Sequence, residues 1–270
     1  YRFYSLLPFI ADVIAISIII ISAIYFSIRY NSIIIAAEAF LLGYIVPLLT
    51  SSVDTFFLIY AIALTAGLVA LTYLRNWKLL GVLGMVAMYI THIFWLDNYT
   101  DDNQSILHIV FLFIYFIMFA IMTLKIKESG KKEIDVWLNQ KFLFAALFLI
   151  SYLFVFQVDF RNAFYTMLPL VLLLLLLAFF IMKFDWDYFV VGGIIMTYVA
   201  HWRWLGLNFN ESSIFTNFIG LSIYFVLFNI LLFLLKEQKN KVSNVGGILI
   251  NSAFYYGLNA WVVIHFDTGY

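Results

Sequence analysis

Residues 170–180 read LVLLLLLLAFF, a run without one polar side chain. It lies inside the stretch 162–183, whose only charged residue is Lys183 at its end. Strands of a membrane barrel alternate apolar and polar side chains, so an unbroken run of this kind excludes a barrel. A membrane-spanning helix needs about 20 mostly apolar residues. Working outward from 162–183, the chain holds nine more stretches of this kind: 4–28, 31–50, 54–74, 78–96, 105–126, 136–157, 187–205, 212–235 and 244–265. The expected architecture is an all-α integral membrane protein of about ten transmembrane helices. The connections are short, so any chemistry has to sit within the helix bundle or at its two rims.

The composition agrees. Of 270 residues, 65% are apolar and 11% charged, and the mean hydropathy is +1.02. Soluble domains carry about 25% charged residues. Fifteen basic and fifteen acidic residues cancel, leaving no basic stripe to track phosphates and excluding nucleic acid as a partner. The absence of cysteine removes disulfides, thiolate metal sites, iron–sulfur clusters and covalently held haem. No cofactor is implied. The chain opens on Tyr1-Arg2-Phe3-Tyr4, which is not a signal-peptide n-region, and suggests a processed chain or a piece of a longer one.

Charge gives an orientation. One set of connections carries Arg29, Arg75, Lys78, Lys125, Lys127, Lys131, Lys132, Lys141, Lys183, Lys236, Lys239 and Lys241; the other carries Arg2, Arg161 and Arg203. Loops this short obey the positive-inside rule, so the first set is expected in the cytoplasm and both chain ends outside. The outer side is then acidic, with Asp54, Asp97, Asp101, Asp102, Asp159, Glu211 and Asp267. The sequons at Asn98, Asn103 and Asn210 all fall there, and ordinary polar loop composition accounts for them. The expected location is a bacterial or archaeal cytoplasmic membrane, with the lipid bilayer as the surrounding partner.

Sliding the chain by 109 residues without a gap pairs Trp77 with Trp186, Val82 with Val191, Gly84 with Gly193, Tyr89 with Tyr198, His92 with His201 and Trp95 with Trp204. The same offset pairs Ile114-Tyr115-Phe116 with Ile223-Tyr224-Phe225, and Phe119 with Phe228. Apolar matches are cheap in such a chain, but histidine occurs only four times. Two four-helix repeats are expected, 52–160 and 161–270, behind an N-terminal hairpin, 1–51. An even number of spans gives both copies the same orientation, hence a parallel rather than inverted repeat.

Gly43-Tyr44-Ile45-Val46-Pro47-Leu48-Leu49 resembles the glycine-aromatic-x-x-Pro-Leu-Leu signature of the multi-pass membrane proteins called domain of unknown function 2339. The continuation is similar: an apolar helix, Arg75-Asn76-Trp77, a helix ending in Trp95, then Tyr115-Phe116 and Phe119. The resemblance spans residues 10–265 and departs at Leu42, where the family often has a second glycine. Members are usually longer, which implies a fragment or a short member. The resemblance implies a multi-span bundle and brings no activity with it.

Few residues could carry chemistry. Glu38 lies about 10 Å into the second stretch. A carboxylate there is expected to face the bundle or a water-filled cavity, as an ion or proton site near Gly43 and Pro47, or as a paired group holding helices together. His92 and His201, each three residues before Trp95 or Trp204, gather with His108 and His265 near the outer ends of their spans. That rim could bind a divalent metal or relay protons, or simply anchor at headgroup depth. Asp185-Trp186-Asp187 imitates a metal-binding D-x-D, but its repeat partner Asn76-Trp77-Lys78 does not, and helix N-capping explains both. Asn229, Asn251, Asn259 and Thr197 are expected to hydrogen-bond between helices. No catalytic constellation emerges. The leading expectation is a non-enzymatic membrane module or subunit of a larger envelope assembly, with other membrane subunits as partners. The alternatives are an ion- or proton-coupled transporter or channel using Glu38, and an outer-face enzyme acting on a lipid-linked substrate.

Overall fold

The computed structural model describes residues 9–49, 55–96, 105–125, 139–157, 163–184, 186, 187, 189–208, 214–235 and 241–267. Among them are ten helices: α1 (Phe9–Tyr30), α2 (Ile33–Leu49), α3 (Thr55–Arg75), α4 (Lys78–Leu96), α5 (Ser105–Lys125), α6 (Gln140–Gln157), α7 (Ala163–Phe184), α8 (Phe189–Asn208), α9 (Ile214–Leu235) and α10 (Lys241–Asp267). Each falls on one of the ten apolar stretches, and no strand occurs among the described residues. Segments rich in isoleucine and phenylalanine, such as Ile18–Ile21, lean toward strands in water. In lipid the backbone must satisfy its own hydrogen bonds, and a helix does so within one segment. Among the described residues, five windows are long and apolar enough to cross a membrane: Leu58–Arg75, Ile106–Lys125, Phe164–Phe184, Ile214–Leu235 and Val245–Ile264. Shorter apolar helices run over Ile18–Tyr30, Ile33–Ile45, Lys78–Phe94 and Gln140–Phe156.

Tight turns separate α1 from α2 and α3 from α4. Asn31 (φ 50°) and Asn76 (φ 54°) adopt the left-handed conformation, which asparagine tolerates better than branched residues. The next amide reaches back five residues in each case: Ser32 N–H donates to the Ser27 carbonyl at 3.0 Å, and Trp77 N–H to the Thr72 carbonyl at 3.2 Å. This is the Schellman ending, which satisfies carbonyls orphaned at a helix C-terminus. Trp186 N–H makes the corresponding bond to the Ile181 carbonyl, at 3.3 Å. Asn76 therefore closes α3. Arg75 Nη2 donates to the Ile28 carbonyl at 3.0 Å, so the end of α3 also covers the end of α1.

The chain forms two compact units, one of residues 1–100 and 111–147, the other of residues 101–110 and 148–270. In the first, α2 packs on α1, α3 and α4, and α3 packs on α4. Its core includes Phe40, Tyr44, Leu58, Met85, Tyr115 and Phe119. In the second, α7, α8 and α9 pack against one another, and α10 packs on α8 and α9 around Leu173, Ile194, Tyr198, Tyr224 and Phe228. Gly84 lets Leu68 of α3 press onto the α4 backbone, and Gly193 admits Leu177 of α7 onto α8 in the same way. With small residues at the crossing, backbones approach closely, which is how helices gain packing where lipid offers no hydrophobic drive.

Candidate functional site

The buried polar groups are built around histidine and tyrosine. In the first unit α4 presents His92, which has no exposed surface. The Tyr115 ring of α5 stands edge-on to it at 5.5 Å and 81°, and Phe111 lies at 6.4 Å and 77°. Tyr89, one turn before His92, meets Tyr115 at 6.3 Å and 71°. The spacing 111, 115 puts both α5 rings on one helix face.

The second unit repeats this arrangement. His201 of α8 is fully buried, with Tyr224 of α9 edge-on at 5.5 Å and 78°. Tyr198 meets Tyr224 at 6.0 Å and 88°. Here the polar atoms are better connected. The Tyr224 hydroxyl lies 3.5 Å from His201 Nδ1, and Tyr198 O–H donates to Asn251 Oδ1 at 2.9 Å. Asn251 Nδ2 in turn donates to the Phe225 carbonyl at 3.1 Å. The Thr197 and Tyr152 hydroxyls are 3.0 Å apart. Asn217, also fully buried, sits beside the His201 imidazole.

Equal ring geometry thus hides unequal satisfaction. The Tyr115 hydroxyl is buried and has no hydrogen-bond partner among the described residues. An unsatisfied buried hydroxyl costs about 1–3 kcal/mol. Tyr115→Phe is therefore expected to raise the unfolding midpoint in a fixed detergent micelle. Tyr198→Phe strands Asn251 Oδ1 and is expected to lower it by about 1 kcal/mol, the usual size inside membranes. Shifts of the same sign in the two variants would refute this assignment of partners.

The remaining candidates scatter. Glu38 is exposed on α2, on a stripe with Ile34, Leu41, Leu42 and Ile45, while Ala36, Ala39, Phe40 and Tyr44 face the core. It makes no hydrogen bond or ion pair with described residues. The helix continues through Gly43 and Pro47 to Leu49 without a break. His108 is 5% exposed on α5, and Trp204, 4% exposed, lies 6.1 Å from His201. The side chains of Trp95 and His265 lie outside the described ones, as do Asp185 and the sequons at Asn98, Asn103 and Asn210. Asn251 and Thr197 bond between helices as expected, whereas Asn229 and Asn259 donate to the carbonyls of Phe225 and Tyr255 one turn back in their own helices. A side-chain amide four residues after a helix carbonyl reaches its second lone pair without crossing to another helix. Among the described residues no three histidine, aspartate or glutamate side chains converge as a metal site. The reading of residues alone missed Asn217 and the tyrosine partners of the histidines; the 109-residue offset, which pairs Tyr115 with Tyr224, was the available signal.

No curated protein and no solved structure matches the chain. One family does, the predicted membrane proteins designated DUF2339, over residues 1–263. With nearly the whole chain matched and an all-helical fold rich in apolar spans, this protein belongs to the DUF2339 family of predicted membrane proteins.

Proposed function

We propose that this chain is a non-enzymatic membrane module that joins a larger envelope assembly through the Glu38 face of α2. Glu38 carries the reading: it is a carboxyl group exposed on an outward stripe of isoleucine and leucine, within an apolar helix. Facing acyl chains, an ionisable group costs up to about 3 kcal/mol. A partner transmembrane segment that offers a hydrogen-bond donor removes that cost, and the bilayer alone does not. Coupled transport would call for Glu38 to line a polar interior route, whereas the pocket beside α2 is walled by Ala37, Phe40, Leu41, Tyr44, Leu68 and Leu80 among others, with no charged side chain. An outer-face enzyme draws less support, because His92 and His201 have no exposed surface to offer a substrate.

We also infer that residues 52–160 and 161–270 are parallel four-helix copies behind the hairpin 1–51. Three pairings at the 109-residue offset support this: His92–Tyr115 with His201–Tyr224, Leu68–Gly84 with Leu177–Gly193, and the Thr72–Trp77 bond with Ile181–Trp186. The basic loops are assigned to the cytoplasm of a bacterial or archaeal cell on the charge asymmetry between alternate connections.

The test is gentle extraction from the native membrane followed by native mass spectrometry. The wild-type chain is expected to carry a stoichiometric membrane partner. Glu38→Leu is expected to release it while the unfolding midpoint of the chain itself holds or rises. A partner retained in full by Glu38→Leu would sink the assembly reading. Ion-coupled flux abolished by Glu38→Gln would transfer the case to transport.

A further inference from the structure

We propose that the hairpin between α7 and α8 binds the headgroup of an aminophospholipid of the phosphatidylethanolamine type, with Asp187 holding the primary ammonium and Lys183 the phosphate. This stands on different residues from the assembly reading and does not depend on it. Asp187 is 9% exposed, and its Oδ1 is buried without a hydrogen-bond partner. Burying a carboxylate oxygen unpaired is among the costlier things a fold can do. The start of α8 favours negative charge, but the nearby Val190 N–H donates to the Asp187 backbone carbonyl at 3.2 Å. That oxygen therefore lacks a donor among the described residues.

Its surroundings name the donor. Phe184 stacks on Trp186 at 5.1 Å and 25°, and Trp186 meets Phe189 at 5.7 Å and 60°. Lys183, exposed, holds its Nζ 5.4 Å from the Phe179 ring centre and 5.7 Å from that of Phe184. An aromatic wall with a carboxylate suits an organic ammonium, and an adjacent lysine suits a phosphate as a point charge. The hairpin follows directly on the apolar span Phe164–Phe184, so it lies where headgroups lie on whichever side of the membrane it faces. The exposed Phe179 and Met182 flank it with apolar surface for acyl chains, which favours a lipid over a soluble amine. A primary ammonium brings three N–H donors to the unpaired oxygen. The quaternary ammonium of a choline lipid brings none, and a glycerol headgroup brings no positive charge.

The experiment uses the full chain, delipidated in detergent and titrated with phosphatidylethanolamine, phosphatidylcholine and phosphatidylglycerol of identical acyl chains, read by native mass spectrometry. A charge-assisted hydrogen bond makes the ethanolamine lipid bind about tenfold more tightly than either competitor. Asp187→Asn should abolish that preference, and Lys183→Gln should weaken all three lipids alike, since each carries the same phosphate. Equal binding of the three lipids by the wild-type chain overturns the proposal, and this comparison needs no variant to fold. Preference kept in a folded Asp187→Asn also overturns it. Displacement of the lipid by magnesium, or by soluble glycerophosphoethanolamine at equal concentration, would show the site to be a cation or soluble-amine site instead.

Discussion

Phe228→Ala is expected to lower the unfolding free energy by about 3 kcal/mol, and Phe119→Ala, its counterpart at the 109-residue offset, by a similar amount. Both side chains are fully buried, and the Phe228 ring lies 6.4 Å from that of Tyr198 at 32°. In a soluble core the loss would combine a transfer term with a cavity term, in total about 3–5 kcal/mol. A membrane interior removes most of the transfer term, because an exposed phenylalanine in lipid is already in hydrocarbon. What is left is the cost of unfilled space and lost ring contacts, which sets the expectation at the lower end. Phe228→Leu should recover about half of it. Unfolding by denaturing detergent at fixed micelle composition measures all three variants. Losses under about 1 kcal/mol would mean that the two cores relax around the missing ring, contrary to close packing.

The second large effect lies at the helix crossings. A side chain on Gly193 would run into Leu177, with Phe228 next in line, and Gly193→Val is expected to cost about 2–3 kcal/mol. Leu177→Ala alone also destabilises, since Leu177 is 4% exposed and packed. Made together, the two changes should cost less than their sum by about 1–2 kcal/mol, because the truncated leucine vacates the space that the valine enters. Gly84 and Leu68 form the corresponding pair on α4 and α3, and the same cycle there should show coupling of the same sign. Strict additivity in both cycles would place the strain elsewhere.

The spans were legible because lipid imposes a length and a composition on any crossing segment, and Leu170–Phe180 leaves no other reading. The histidine cages were half legible. The offset that aligns His92 with His201 also aligns Tyr115 with Tyr224, yet nothing in either segment says that a hydroxyl is bonded in one cage and idle in the other. The facing of Glu38 was not legible at all. A soluble helix announces its buried side by alternating polar and apolar residues. α2 is apolar on every side except at Glu38 itself, so the sequence pattern cannot separate a neighbour from lipid. The closing role of Asn76 was not legible for a local reason, since capping an entry and closing an exit draw on the same residue type. Asp187 shows the limit of the 109-residue offset: its counterpart is Lys78, so the offset sets opposite charges against each other at one position.

The closed turn at Asn31 has a consequence for how the protein is made. Between Tyr30 and Ile33 the chain can stretch at most about 10 Å, close to the distance between the axes of two touching helices. The adjoining ends of α1 and α2 stay together even before the rest of the chain is synthesised. The same holds for α3 and α4 across Asn76. A pair tethered this closely is expected to enter the bilayer as a hairpin, and moving charges to turn one arm alone is expected to invert both arms or neither.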